Sequence, residues 1–209
     1  MSDYPPVAVK VWGDFACFTR PEMKVERVSY DVMTPSAARG VLEAIFWKPE
    51  FKWRVRQIEV LRPIRRVSLL RNEVKTKIAP RTARDPEKTY FADDDRTQRH
   101  TLALRDVAYV IRAGVDVLSD DHPAKYRDQF RRRISRGQCF HRPYLGCREF
   151  SAHFAEPAGD EQPVDLSTDL GRMLFDVRYE EDGERMEPIF FNARLQDGIL
   201  EVPGELHPQ

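Results

Sequence analysis

The chain has 209 residues, enough for one or two domains with a real hydrophobic core, and its 34 basic and 34 acidic side chains sum to zero charge. A charged fraction of 33% beside a hydrophobic fraction of 41% excludes a disordered chain, and the neutral sum, taken alone, argues against a nucleic-acid binder. No apolar run approaches the roughly 18 residues that span a bilayer, and MSDYPPVAVK has no signal-peptide apolar core, so the expectation is a cytoplasmic protein with no membrane partner.

Val7, Val9 and Val11 alternate with Ala8 and Lys10 and predict a strand over 7–12. Thr34-Pro35 predicts a helix start, because Thr34 can cap and Pro35 suits the first helical position. That helix runs to about Trp47, buries Val41, Leu42, Ile45 and Phe46, and is ended by Pro49. Phe51, Trp53 and Val55 alternate with Lys52, Arg54 and Arg56, a strand with one basic face. Ile58 and Val60 continue it in shifted phase, which predicts a bulge near Gln57. Residues 62–100 read as an insertion: a short apolar piece, Val67–Leu70, and then a long polar loop. Residues 101–118 read as a long strand. Pro123 opens a second helix that Gly137 stops, and 144–155 reads as a further strand. In the tail, Met173–Tyr179 and Ile189–Leu195 read as strands. Asp197-Gly198 turns the second of these into Ile199–Val202 as a hairpin.

The order strand, helix, strand, strand, helix, strand predicts an α+β chain. Residues 1–155 form a ferredoxin-like βαββαβ domain of the kind found in RNA-recognition folds, and 156–209 a small antiparallel β-sheet domain. The charge divides along the same line. Residues 1–155 hold 30 basic and 20 acidic groups, and 156–209 hold 4 and 14. Two stretches supply the excess: 48–82, with 11 basic and 3 acidic groups, and 125–148, with 8 and 1. Such runs are either solvated faces or a polyanion surface. Their interleaving with Phe51, Trp53, Phe130, Phe140 and Tyr144 favours nucleic acid. Cys17, Cys139 and Cys147 are too scattered for a disulfide framework, and Cys139-x-His141 with Cys147 fits no tight zinc spacing.

Three strings are specific: WGDFACFTRPEMKVERVSYDVMTPSAARGVLEAIFWKP at 12–49, LLRNEVKTKI at 69–78 and FRRRISRGQCFHRPYLGCREF at 130–150. They closely resemble the CRISPR-associated Cas-five family of subtype I-C, its d (or c) variant. The resemblance implies a protein that cuts precursor CRISPR RNA at the base of each repeat hairpin without metal or other cofactor. It then stays on the 5′ handle with the other subunits of the type I-C interference complex. Some members also bind duplex DNA. The alternative within the family is a non-cleaving structural subunit.

Metal-free cleavage turns the ribose 2′-OH on the adjacent phosphate. It needs a base for that hydroxyl, an acid for the leaving 5′ oxygen and charge stabilisation at phosphorus. The family pattern is a Tyr late in the first helix and a Lys-His pair early in the second. Here those positions are Phe46, Lys125 and Tyr126. Lys125 keeps the pattern; Phe46 has no proton to transfer, and Tyr126 replaces the imidazole. A phenol, with a pKa near 10, donates readily and acts as a base only if that value is lowered. Tyr126, Phe130 and Ile134 also form an apolar stripe, so Tyr126 is either catalytic or core. His122 is either a substitute imidazole or a helix cap. Arg131, Arg132, Arg133, Arg136, His141 and Arg142 are candidate phosphate contacts, together with the strand face of Lys52, Arg54 and Arg56. His100, His153 and His207 read as structural or exposed, and Tyr30 as a spare phenol.

Overall fold

The computed structural model describes residues 6–23, 25–179 and 186–206; His207 lies outside them. The chain is α+β, with few helices and one curled sheet. The strands are β1 (Val7–Ala16), β2 (Arg27–Val28), β3 (Phe51–Val60), β4 (Arg66–Val74), β5 (Arg96–Val117), β6 (His153–Ala155), β7 (Thr168–Tyr179), β8 (Met186–Gln196) and β9 (Ile199–Glu201). The helices are α1 (Pro35–Ile45), the single turn α2 (Pro80–Ala83) and α3 (Pro123–Ser135). The sheet order is β6-β1-β5-β3-β9-β8-β7, with β2 and β4 also on β5. All pairings are antiparallel except the two-residue β2–β5 contact.

Helix starts follow local chemistry. The Thr34 hydroxyl accepts from the Ala37 N–H and Pro35 opens α1. His122 caps α3 through a ring nitrogen that accepts from the Ala124 N–H, and Gly137, at φ 62°, turns the chain out of it. The bulge is in place, between Val55 and Gln57. Asp197 and Gly198 both take positive φ in the turn from β8 to β9, the pattern of a two-residue hairpin.

Both long helices cover one face of the sheet. Val7, Val9 and Val11 of β1, Phe51, Trp53 and Val55 of β3 and Ile111 and Ala113 of β5 point into that layer. Val41, Leu42 and Ile45 of α1 and Tyr126, Phe130 and Ile134 of α3 meet them. Each such large side chain, fully buried, contributes roughly 1.5–3 kcal/mol. The Phe51 ring sits 5.4 Å from Phe46 and 4.8 Å from Tyr126, and Trp53 sits 4.6 Å from Phe130.

Three sequence expectations change. Both ends of the region read as an insertion are sheet: β4 and the first part of β5 form a ribbon from Arg66↔Leu104 to Val74↔Arg96, and 75–95 connect them outside the sheet. A cross-strand ion pair from Arg99 to Glu73, which Arg71 also pairs along β4, helps hold it, so the polar residues 96–99 are strand rather than loop. Residues 144–155 are not one strand. A lone bridge joins Tyr144 to Ser151, and only β6 is regular. Gly146 breaks the run: its φ is 85°, and a Cβ there would lie 2.1 Å from the Cys17 carbonyl oxygen. The first helix stops at Ile45, two residues early, with Phe46 extended.

That early stop exposes backbone carbonyls, and the rest of the fold answers them. The Phe140 and His141 N–H groups donate to Ala44 O (2.8 and 3.0 Å), Arg133 Nη1 donates to Ile45 O (2.9 Å), and Trp53 Nε1 donates to Phe46 O (2.8 Å). The Arg133 guanidinium also lies 5.2 Å from the centre of the Phe46 ring. Arg133 is therefore a helix cap; its exposed neighbours Arg131 and Arg132 are not.

The tail joins the same sheet. Gln57, Ile58 and Glu59 of β3 pair with Glu201, Leu200 and Ile199 of β9. Arg39 of α1 reaches Asp176 of β7 at 2.7 Å, and the Leu174 N–H donates to the buried Tyr30 hydroxyl. Among the described residues no helix is long and apolar enough to cross a membrane. Replacing Arg133 with Met should cost about 1–3 kcal/mol of unfolding free energy in urea titration, because it leaves the Ile45 carbonyl unpaired. Arg132→Met should leave stability unchanged.

Candidate nucleic-acid interface

The loop that follows α3 lies alongside the outer face of α1, because Ala44 O holds it there. Between them runs a groove of about 630 Å³, with Gly40, Ala44 and Trp47 on one wall and Phe140, His141, Arg142, Tyr144 and Arg148 among the residues facing them. Trp47 (54% exposed), Phe140 (67%) and Tyr144 (42%) present three large aromatic rings on one surface, and clustered exposed rings rimmed by polar groups suit a binding surface. Gly40 leaves the floor open, with nothing within 4 Å of an added Cβ. The one carboxylate on the groove, Glu43, is paired with Arg39 at 3.0 Å. Arg142 and Arg148 form no ion pair among the described residues, and neither do Arg131 and Arg132, exposed on α3, nor Arg136, exposed just past its end. Rings that can stack on bases, beside uncompensated cations, suit a single-stranded nucleic acid.

The other basic run does not join this surface. Phe51, Trp53 and Val55 face the helices, so Lys52, Arg54 and Arg56 project from the opposite face of the sheet. Three cations on that face are matched in pairs, while Lys52 and Arg56 form no ion pair among the described residues. Arg54 bonds Asp116 at 2.7 Å, Lys10 bonds Glu161 at 3.2 Å, and Arg112 bonds Glu59. A phosphate would have to displace these carboxylates. Of the five aromatics interleaved with the basic runs, Phe51, Trp53 and Phe130 are core, while Phe140 and Tyr144 are exposed.

Around the start of α3 the residues read as catalytic fall into distinct environments. Lys125 is exposed, and its Nζ lies 2.9 Å from both carboxylate oxygens of Asp121. The Tyr126 hydroxyl donates to Asp121 Oδ2 at 2.6 Å, while its ring is fully buried. These two bonds hold the Asp121 carboxyl below its ordinary pKa, the phenol's first. In return Asp121 holds the Lys125 ammonium above its usual value and, with burial adding to it, the Tyr126 phenol above its own. Tyr126 is thus a neutral donor and not a base. Phe46 is 1% exposed and packed under Arg133. His122 accepts the Ala124 N–H with Nδ1 at 3.3 Å, so that nitrogen serves as the cap of α3.

Sequence reasoning missed Trp47, Arg148 and Asp121. Trp47 could have been found as the aromatic that follows Gly40 and Ala44 on the α1 face away from the buried stripe. Asp121 could have been found at four residues before Lys125.

Comparison with known proteins gives a consistent picture. A family model described as CRISPR-associated protein (Cas_Cas5) matches residues 7–203. The chain is 48% identical to a CRISPR pre-crRNA endoribonuclease Cas5d of Thermus thermophilus, covering 96% of this chain and 93% of that one. It is 46% identical to one of the same description from Mannheimia succiniciproducens, covering 94% of each. A crystal structure of a CRISPR-associated protein shares the fold, with a TM-score of 0.68 at 23% identity over 95% of this chain and 92% of that one.

Because Asp121 is the main cause of the raised Lys125 value, Asp121→Asn should move the Lys125 titration to lower pH, as read by NMR of labelled lysine. An unmoved titration would mean that Asp121 and Lys125 are not paired in solution.

Proposed function

From membership of the CRISPR-associated Cas5 family, to which this chain belongs, we propose that it is the metal-independent endoribonuclease that cuts precursor CRISPR RNA at the base of the repeat hairpin. It then stays on the 5′ handle as a subunit of the type I-C interference complex. The observation that carries the reading is the groove of exposed rings and uncompensated arginines, with α3 leading into its loop from the Lys125 end. The strand order β6-β1-β5-β3, with both helices on one face, supports reading residues 1–155 as a ferredoxin-like domain and 156–209 as an acidic β-module added to it.

In this reading RNA bases stack on Trp47, Phe140 and Tyr144. Phosphates meet Arg142 and Arg148 and, further along α3, Arg131, Arg132 and Arg136, with His141 at the groove's edge. The 2′ oxygen attacks the adjacent phosphorus, the P–O5′ bond breaks, and the products are a 2′,3′-cyclic phosphate and a 5′-hydroxyl. Lys125 supplies positive charge, or its proton, to the leaving O5′. Asp121 aims it, and the Tyr126 hydroxyl fixes Asp121. The proton of the 2′-OH goes to His122 if that ring lets go of its cap, and otherwise to solvent.

A second reading has its own support. Phe46 is buried, Tyr126 is locked as a donor and His122 is committed to Ala124. None of these three stands ready as a general base, which favours a non-cleaving subunit that binds RNA or duplex DNA. One assay separates the two. With cognate repeat RNA in EDTA, the first predicts a single cut at the hairpin base with a cyclic-phosphate end, and Lys125→Ala should slow it by about 10²–10⁴-fold while RNA affinity is kept. No product at enzyme excess would leave the second reading.

A further inference from the structure

Cys17, at the end of β1, and Cys147, in the loop behind the groove, come together although 130 positions apart. Cys147 Sγ lies 3.5 Å from the Cys17 carbonyl oxygen. The Thr19 hydroxyl lies 3.5 Å from Cys17 Sγ and 3.9 Å from Cys147 Sγ, so it touches both sulfurs. The backbone locks the approach: the Cys17 N–H donates to Leu145 O at 3.0 Å, and the Gly146 backbone fits against Cys17 only because glycine has no Cβ.

The two sulfurs differ in surroundings. Cys17 is fully buried and Cys147 half-buried. Arg27 Nη1 lies 3.6 Å from Cys147 Sγ and 3.0 Å from Glu149, which also pairs with Arg71. Glu73 pairs with Arg27, Arg71 and Arg99. Three guanidinium groups therefore surround two carboxylates, and a thiolate on Cys147 would balance the charge. The Cys147 thiol is pulled down to about 6, first by the Cys17 thiol beside it and also by the Thr19 hydroxyl and Arg27. Cys17 is pushed up, by its bond to Cys147 and by burial.

We propose that Cys17 and Cys147 form a peroxide-oxidisable dithiol, in which Cys147 is the attacking sulfur and Cys17 the resolving one. The Cys147 thiolate attacks an oxygen of hydrogen peroxide, the O–O bond breaks, and hydroxide leaves to become water. Cys147 is then a sulfenic acid. The Cys17 sulfur attacks it, the S–O bond breaks, and the departing hydroxide takes the Cys17 proton as a second water. Two thiols are oxidised, one peroxide is reduced, and a disulfide ties the groove's loop to β1. The inference does not depend on the proposed RNA chemistry.

Cys139 provides the internal comparison, since it is exposed and lies eight residues before Cys147 in the same loop. If exposure governed reactivity, Cys139 would be oxidised first. With the folded full chain and about one equivalent of peroxide near pH 6, Cys147 should react about tenfold faster than Cys139, its greater thiolate fraction outweighing the lower nucleophilicity of a low-pKa sulfur. Peptide mapping should find a Cys17–Cys147 disulfide that dithiothreitol reverses. Cys17→Ser should stop at a sulfenic acid on Cys147 that dimedone traps, and Cys147→Ser should leave Cys17 reduced. Faster oxidation of Cys139, or a Cys147 that passes to sulfinic acid while Cys17 stays free, would overturn the proposal.

Discussion

The carbonyl groups at the end of α1 organise this molecule. A helix that stops leaves its last carbonyls without intrahelical partners, and buried carbonyls must find others. Here no glycine or basic residue of α1 supplies them. Instead Ala44 takes two N–H groups from the loop after α3, Ile45 takes the Arg133 guanidinium, and Phe46 takes the Trp53 indole. The loop after α3, α3 itself and the neighbouring strand β3 are thereby fixed to one helix end. The groove exists because the loop is held against α1 at Ala44. The environment of Lys125 follows from the same packing, since Tyr126 seats its ring on Phe51, next to Phe46.

Electrostatics then divides the surface in a way that segment counts do not. Both basic runs have an excess of positive charge, yet on the open face of the sheet Arg54, Lys10 and Arg112 each face a carboxylate. On the helix side, Arg131, Arg132, Arg136, Arg142 and Arg148 form no ion pair among the described residues. A salt-bridged face has already exchanged hydration for internal pairing and gains little from phosphate, whereas the unpaired cations release counterions when they meet it. Neutrality of the whole chain reflects neither face.

What was readable from the sequence was local chemistry. Thr34-Pro35, Pro123 and Gly137 place the helices, the phase shift after Val55 places the bulge, and Asp197-Gly198 places a turn, because each of these depends on a few neighbouring residues. Contacts between distant segments were not readable. Tyr144–Ala155 has the composition of a strand, but Gly146 must pass close to Cys17, and that neighbour is set by the fold. Arg133 looks like its two neighbours in the run and differs only through where Ile45 ends up. Phe51, Trp53 and Phe130 belong to alternating or helical stripes that already marked them as core, and the reading of them as interleaved stacking rings ignored that period. The family motif located Lys125, but it could not foretell that Asp121 would hold both Lys125 and Tyr126.

Whether nucleic acid lies in the groove beside α1 or across the open sheet can be measured directly. Ultraviolet cross-linking of the full chain to its repeat RNA, followed by peptide mapping, reads the aromatic rings that touch bases. Cross-links at Trp47, Phe140 and Tyr144 are the predicted result. Cross-links at Trp12 and His153, which stack on each other at the other face of β1, with none in the groove, would contradict it.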